Sequence, residues 1–325
     1  MSLESDLLTG ACAAPEACHH RLRRKIALSL LGALAVGGGL AYVLSSRLAH
    51  FSAALHSAPL QFLAVAALLQ VVALLSRSEA WRVCVIAAGG TVSRRLLFRA
   101  AGVGCLASVL NGSAGVAARI ASLRRIAPDS TPGPAALIAA EVPIIMVEIA
   151  LCAIFSFSLV LPLGVPEWVP IILVLVMAGV AVAVHHLSKA RTSGLWRGLA
   201  VLRGPGGPQM VGFTLLAVCA QLLRNWLMLR AIGVNVSIFD AMALLIAIFT
   251  LGQLPVGPSI GPAAAVLILG SHGVAATAAA GVLLSVTGTT GSLCYAGWAV
   301  ADRVFAGRLE AVVAPVTLAV PVASG

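Results

Sequence analysis

The chain has 325 residues, 60% of them hydrophobic and only 10% charged, with a mean hydropathy of +1.04 and a formal net charge of +10. A soluble globular chain carries about 25% charged residues, so this composition excludes a water-soluble module and indicates an all-α integral membrane protein. The positive charge invites a nucleic-acid partner, but the basic residues fall in short clusters between apolar spans, where the positive-inside rule puts them, and aromatic residues are too scarce to stack bases.

Residues 1–25 read as a small, polar cytoplasmic tail. Within it, Cys12, Cys18, His19 and His20 fit no standard zinc spacing, so no metal or cofactor is expected. The remaining cysteines lie in or beside apolar segments, where they act as small hydrophobes. Arg21, Arg23, Arg24 and Lys25 precede an apolar run from Ile26 to Leu44 that lacks a clear small-x-small cleavage site. It reads as a retained first span with a cytoplasmic N-terminus, and residues 26–58 as that span plus an outside loop.

Residues 59–190 form a first expected repeat. Its opening span covers Leu60–Leu75 and is followed by Arg77, Arg82, Arg94, Arg95 and Arg99. The apolar segment 100–110 is too short for a full crossing, which takes about 20 residues. It runs into Asn111-Gly-Ser-Ala-Gly-Val-Ala-Ala-Arg119, with Arg124 and Arg125 just beyond. Basic clusters at both ends of so short a segment predict a re-entrant hairpin. A third span follows from Ala135 to Leu161, then an outside loop at 162–169 and a fourth span from Pro170 to Leu187. His185, His186 and Lys189 mark its interfacial edge.

Residues 191–208 read as a cytoplasmic linker, with Arg191, Arg197, Arg203 and a Gly204-Pro-Gly-Gly-Pro208 break. The second expected repeat, 209–310, holds a fifth span (Met210–Leu229), a short apolar segment (241–253), a second broken motif and a sixth span (Val274–Val300) ended by Asp302, Arg303 and Arg308. Residues 311–325 read as a C-terminal tail; their apolar part carries two prolines and is too short to cross.

The second motif, Leu254-Pro-Val-Gly-Pro-Ser-Ile-Gly-Pro-Ala-Ala-Ala265, organises the reading. Prolines 255, 258 and 262 and glycines 257 and 261 forbid a continuous helix. Broken backbone at membrane depth is tolerated only where protein buries it or a wet cavity faces it, which makes it a pointer to a transport site. Ser113-x-Gly115-x-Ala117-Ala118 matches Ser259-x-Gly261-x-Ala263-Ala264; Trp81 matches Trp226, and Val92-Ser93 matches Val236-Ser237, at offsets of 146, 145 and 144 residues. The near-constant offset favours an internal duplication. With six spans and two hairpins, all 21 Lys and Arg residues fall inside except Arg47 and Arg230, which fall outside, and Arg224, which lies within a span. Three crossings between the copies would make the repeats inverted.

The candidate substrate-binding residues are Asn111, Ser113, Gly115 and Arg119 of the first motif; Pro255, Gly257, Ser259 and Gly261 of the second; and the span residues Glu141, Glu148, Arg224 and Asn225. Glu141 and Glu148 are seven apart, hence near one helix face. For Glu148 a polar cavity and an ordinary interhelical hydrogen bond both stand open. Glu141, nearer the cytoplasmic end, can simply be solvated. Arg224 can pair with Glu148, hold a lipid phosphate or snorkel to an interface. Arg119 suggests phosphate capture beside helix N-terminal amides, against an ordinary positive-inside role. Asp240 is placed to cap the helix of the second hairpin. No nucleophile elbow, Walker loop or metal signature is present, so no catalytic residue is assigned.

Over about residues 60–305 the chain resembles the flippase-like membrane domain of bacterial lysylphosphatidylglycerol synthase (the multiple-peptide-resistance factor) and its stand-alone relatives. The landmarks are Ala80-Trp81-Arg82, Asn111-Gly-Ser-Ala-Gly115 leading to Arg119, Glu141, and Leu254-Pro-Val-Gly-Pro-Ser-Ile-Gly261. The resemblance implies translocation of aminoacylated or other polar lipids across a bacterial inner membrane, without the aminoacyl transfer of the synthase domain. The chain departs from that pattern at Asn111, Val116, Val142, Val256 and the stretch Pro262–Ala264. Either its substrate differs or its activity is weak. The expected partners are membrane lipids, with envelope-lipid synthesis enzymes and a second copy as further options, and no nucleic acid. Two other readings stand beside the flippase: a membrane enzyme acting on lipid-linked precursors, and an accessory scaffold for envelope synthesis.

Overall fold

A computed structural model describes residues 48–110, 112–160, 164, 166–190, 194–251, 260–270 and 273–313, together with Gly38, Tyr42 and Ser45. Helix makes up 87% of the structure, and none of the described residues lies in a strand. In chain order the α-helices are α1 (Leu48–Ser57), α2 (Leu60–Ala87), α3 (Arg94–Leu110), α4 (Gly112–Ile126), α5 (Pro134–Ala139), α6 (Val142–Phe155), α7 (Trp168–Ala190), α8 (Gly206–Ala231), α9 (Ile238–Leu251), α10 (Ile260–Leu269) and α11 (Val274–Val313). Short 3-10 helices at Ser156–Leu159 and Gly194–Leu202 join them.

Five stretches are long and apolar enough to cross a membrane: Leu60–Ala87, Pro134–Leu159, Trp168–His186, Gly206–Ala231 and Val274–Phe305. The first expected span, Ile26–Leu44, lies outside the described residues apart from Gly38 and Tyr42. The span expected to stop at Leu75 continues to Ala87. Arginine and glutamate are good helix formers, so Arg77, Glu79 and Arg82 extend the helix rather than ending it. The expected outside loop before it contains α1, which lays Phe51 and Leu55 on the second core and packs along α11.

The third expected span is present as Pro134–Leu159, with a short irregularity at residues 140–141. Pro143 has no N–H and its ring crowds the preceding turn, so α5 ends at Ala139 and α6 begins at Val142 with Glu141 as its N-cap. The linker residues Gly194–Leu202 pack against α5 and α2, and a Cβ at Gly198 would meet the Ala136 carbonyl at 2.5 Å.

α2 and α11 form the axis of the bundle. α2 lies along α8 and α11, and α11 also packs against α3 and α10. With 40 residues α11 is about 60 Å long, and 56% of its apolar window is buried, against 6% for the peripheral α7. One core surrounds Trp81, Leu97, Leu123, Leu137, Ile144, Met210 and Tyr295. A second surrounds Met228, Leu229, Leu244, Leu269 and Leu284.

α3 and α4 form a closed hairpin: the Thr91 amide, just before α3, donates to the Ser130 carbonyl, just after α4, at 2.9 Å. α9 and α10 pack as a second pair. The ends of α2 and α8 share local structure at the matched landmarks. α2 ends with Gly89 at φ +89°, its amide bonded to Ile86 and that of Gly90 to Val85; α8 ends with Gly233 at φ +79°, its amide bonded to Arg230 and that of Val234 to Leu229. Both are Schellman terminations, which place a glycine in the left-handed region. Three residues after each glycine comes a buried valine, Val92 or Val236, and then a serine cap. Ser93 Oγ accepts from Leu96 N at 3.4 Å and Ser237 Oγ from Asp240 N at 3.2 Å. Asp240 returns a bond to Ser237 N at 2.8 Å, completing a capping box.

Candidate functional site

α2 carries Gln70, Arg77 and Trp81 at spacings of seven and four residues, which puts them on one helix face. From Gln70 to Trp81 that face extends roughly 16 Å, at about 1.5 Å per residue, or about half the hydrocarbon thickness of a bilayer. Each residue meets a polar group from a different helix, so the three make a ladder inside the bundle.

At the first rung the Arg224 guanidinium of α8 donates to Gln70 Oε1. α11 makes room for both side chains: a Cβ at Gly291 would lie 2.7 Å from Gln70 Cγ, and one at Gly288 would lie 3.3 Å from the Arg224 guanidinium. Among the described residues, Arg224 Nε and both amide atoms of the fully buried Asn225 find no hydrogen-bond partner. At the second rung Arg77 forms an ion pair with Glu148 of α6. At the third, Arg119 of α4 lies 4.0 Å from the centroid of the Trp81 ring and is ion-paired with Glu141. Trp81 is fully buried, Glu141 is 3% exposed and Arg119 is 8% exposed. α4 comes this close because α3 has a glycine opposite: a Cβ at Gly104 would meet Arg119 Cβ at 2.9 Å.

The rungs hold three arginines and two carboxylates, leaving one positive charge in excess. That excess sits on Arg224, whose recorded partner is a neutral amide. A buried ion pair balances the cost of removing two charges from water only when its geometry is good, and removing one partner strands the other. The upper rung lacks such balance, and so is the place where an added anion gains most.

The structure brings four of the sequence candidates to this ladder, Arg119, Glu141, Glu148 and Arg224, and buries a fifth, Asn225, on α8. Two expectations change. Glu141 is not solvated: it is 3% exposed and ion-paired with Arg119. Arg224 does not pair with Glu148, because Arg77 occupies that carboxylate and Arg224 faces Gln70. Gly115 is buried where a Cβ would meet Ser108 Cβ at 2.7 Å; Gly261 abuts α11, where a Cβ would lie 2.6 Å from Ser285 Oγ. Ser113 lies in α4. Asn111, Pro255, Gly257 and Ser259 lie outside the described residues. Sequence reasoning missed Gln70, Arg77 and Trp81 as site residues, although their 7–4 spacing was legible. Among the described residues no group of three or more His, Cys, Asp and Glu side chains converges as a metal site.

The fold and this interior define an all-helical protein with five helices long and apolar enough to cross a membrane, and with ionisable side chains paired inside the bundle. No known protein family, curated protein or solved structure matches the chain.

Proposed function

We propose that the protein is a flippase-like transporter that moves a polar, anionic lipid between the leaflets of a bacterial inner membrane. The observation that carries this reading is the ladder on α2, with its one excess positive charge at membrane depth. Ionisable groups within membrane helices cost about 2.5–3.5 kcal/mol each on insertion scales and mark substrate pathways. A phosphate headgroup can exchange contacts from rung to rung while its acyl chains stay in lipid.

Other features agree. The Thr91–Ser130 closure of α3 and α4 suits a re-entrant hairpin, since it returns the chain to where it began. The paired Schellman ends and serine caps suit a duplicated unit. Three spans separate the two helical pairs, and an odd number inverts one copy against the other, the plan of many transporters. Arg124 and Arg125 at the end of α4, and Arg94, Arg95 and Arg99 in α3, mark one edge of the bundle as basic. The positive-inside rule makes that edge cytoplasmic. The likeness to the lysylphosphatidylglycerol synthase membrane domain points the same way.

The test is leaflet exchange in proteoliposomes holding a panel of headgroup-labelled lipids, read by quenching of the outer leaflet. Exchange selective for one anionic headgroup is expected. It should be lost in Gly115→Leu/Gly261→Leu, which blocks both helical pairs, and in Arg224→Gln, which removes the excess charge with less steric change. No exchange of any lipid by folded protein would overturn the reading.

A further inference from the structure

The interior ladder leaves a second feature unused. A groove of about 580 Å³ opens between α2, α3 and α11, lined by Val71 and Leu75, by Phe98, and by Cys294, Tyr295 and Trp298, with Arg94 and Arg95 at its mouth. We infer that this groove is a binding site for one anionic phospholipid, with an acyl chain along the apolar wall and the phosphate at Arg94 and Arg95.

Its wall is built for a chain. Tyr295 and Trp298 stack with centroids 5.9 Å apart and rings 8° from parallel, and Phe98 meets Tyr295 edge-on at 6.5 Å. The Tyr295 hydroxyl lies 3.1 Å from Ser78 Oγ and 3.3 Å from the Phe98 carbonyl, which ties the wall to α2 and α3. Trp298 and Leu75 keep an exposed face. The volume lies within the roughly 300–1,000 Å³ of small-molecule sites.

The charge at the mouth selects the head. Glu79 is shared by Arg82 and Arg94, and Asp302 by Arg95 and Arg99. Four guanidinium groups against two carboxylates leave two positive charges in excess. The groove-lining pair are also exposed, with side chains 69% and 57% accessible for Arg94 and Arg95. Arg94 lies 5.4 Å over the Phe98 ring, so one cation spans the boundary between apolar wall and charged mouth. A free anion would leave the wall bare, and a zwitterionic lipid would leave the charge uncompensated. An anionic phospholipid satisfies both. This site shares no residue with the ladder, so it can be filled whether or not the protein moves lipid.

Trp298 supplies the probe. Full-length protein in uncharged detergent is titrated with phosphatidylglycerol or phosphatidylcholine brominated on the acyl chain, and tryptophan quenching is read. Saturable quenching by the glycerol lipid is expected where the choline lipid gives little, and Trp298→Phe should remove that selective component. Arg94→Gln/Arg95→Gln should weaken it by about 30-fold, from the contribution of two basic residues near an anionic headgroup, while Arg94→Lys/Arg95→Lys keeps it. Thermal melting checks that each variant folds, and the conservative Trp298→Phe decides the matter alone if the double Gln variant does not. Equal quenching by both lipids, selectivity that survives Arg94→Gln/Arg95→Gln, an undiminished signal in Trp298→Phe, or displacement by millimolar inorganic phosphate would each overturn the proposal.

Discussion

Replacing Glu141 with Gln separates what the third rung does for stability from what it does for function. Glu141 and Arg119 are 3% and 8% exposed, and Arg119 also lies on the Trp81 ring at 4.0 Å. Glu141→Gln strands a buried guanidinium, and breaking a buried pair from one side costs about 3–5 kcal/mol. The double change Arg119→Met/Glu141→Met removes both desolvation penalties. It forfeits a cation–π contact worth about 2 kcal/mol when desolvated, yet it should lie within about 2 kcal/mol of the parent. The assay is reversible unfolding in mixed micelles, read as a double-mutant cycle. The double variant should fold nearly as well as the parent but lose lipid exchange. Single and double variants equally destabilised, or a neutral Glu141→Gln, would refute the claim that the pair is desolvated.

Gly281→Ala should destabilise the protein by about 1–3 kcal/mol or more, because the new methyl would lie 2.4 Å from Pro262 Cα and 2.7 Å from the Gly261 carbonyl, and backbone cannot rotate away; chemical unfolding measures it. Trp81→Ala should cost about 3–5 kcal/mol, whereas Trp81→Phe keeps an aromatic face for Arg119 and should recover most of that loss in the same assay. The charge exchange Arg77→Glu/Glu148→Arg should be more stable than either single change, because α2 and α6 still present opposite charges to each other; melting temperatures of the three variants check it.

Much of the architecture was legible because bilayer thickness and charge distribution constrain a membrane chain strongly. Apolar length found the spans at 168–186, 206–231 and 274–305 within a few residues, and the basic edge followed from the same rule. Three features escaped. Treating Arg77 and Arg82 as solvated ends cut α2 short, since an arginine paired inside a bundle looks identical in sequence to one in water. Glu141, near the end of an apolar run, reads as open to water, although Arg119 of another helix holds it inside the bundle. Charge alone leaves Glu148 open as one partner for Arg224, whereas Arg77 holds that carboxylate. In each case the partner lay on a distant helix, and single-sequence periodicity reports faces, not partners.

The partner pattern bears on how an interior of this kind can hold an anion. At the two lower rungs a phosphate must displace a carboxylate already bound to arginine, and only the difference between the two contacts drives binding. At Arg224 the competitor is the Gln70 amide. There a phosphate adds a charge-assisted bond, about twice as strong as a neutral one, and compensates a guanidinium that no carboxylate balances. On the proposed transport reading, an anion would be held most strongly at the Gln70–Arg224 end and more weakly at the paired rungs. Such a gradient would keep a route from trapping its cargo. The departures at Val116 and Pro262–Ala264 would not by themselves close that route, since the excess charge among the described residues lies on α8.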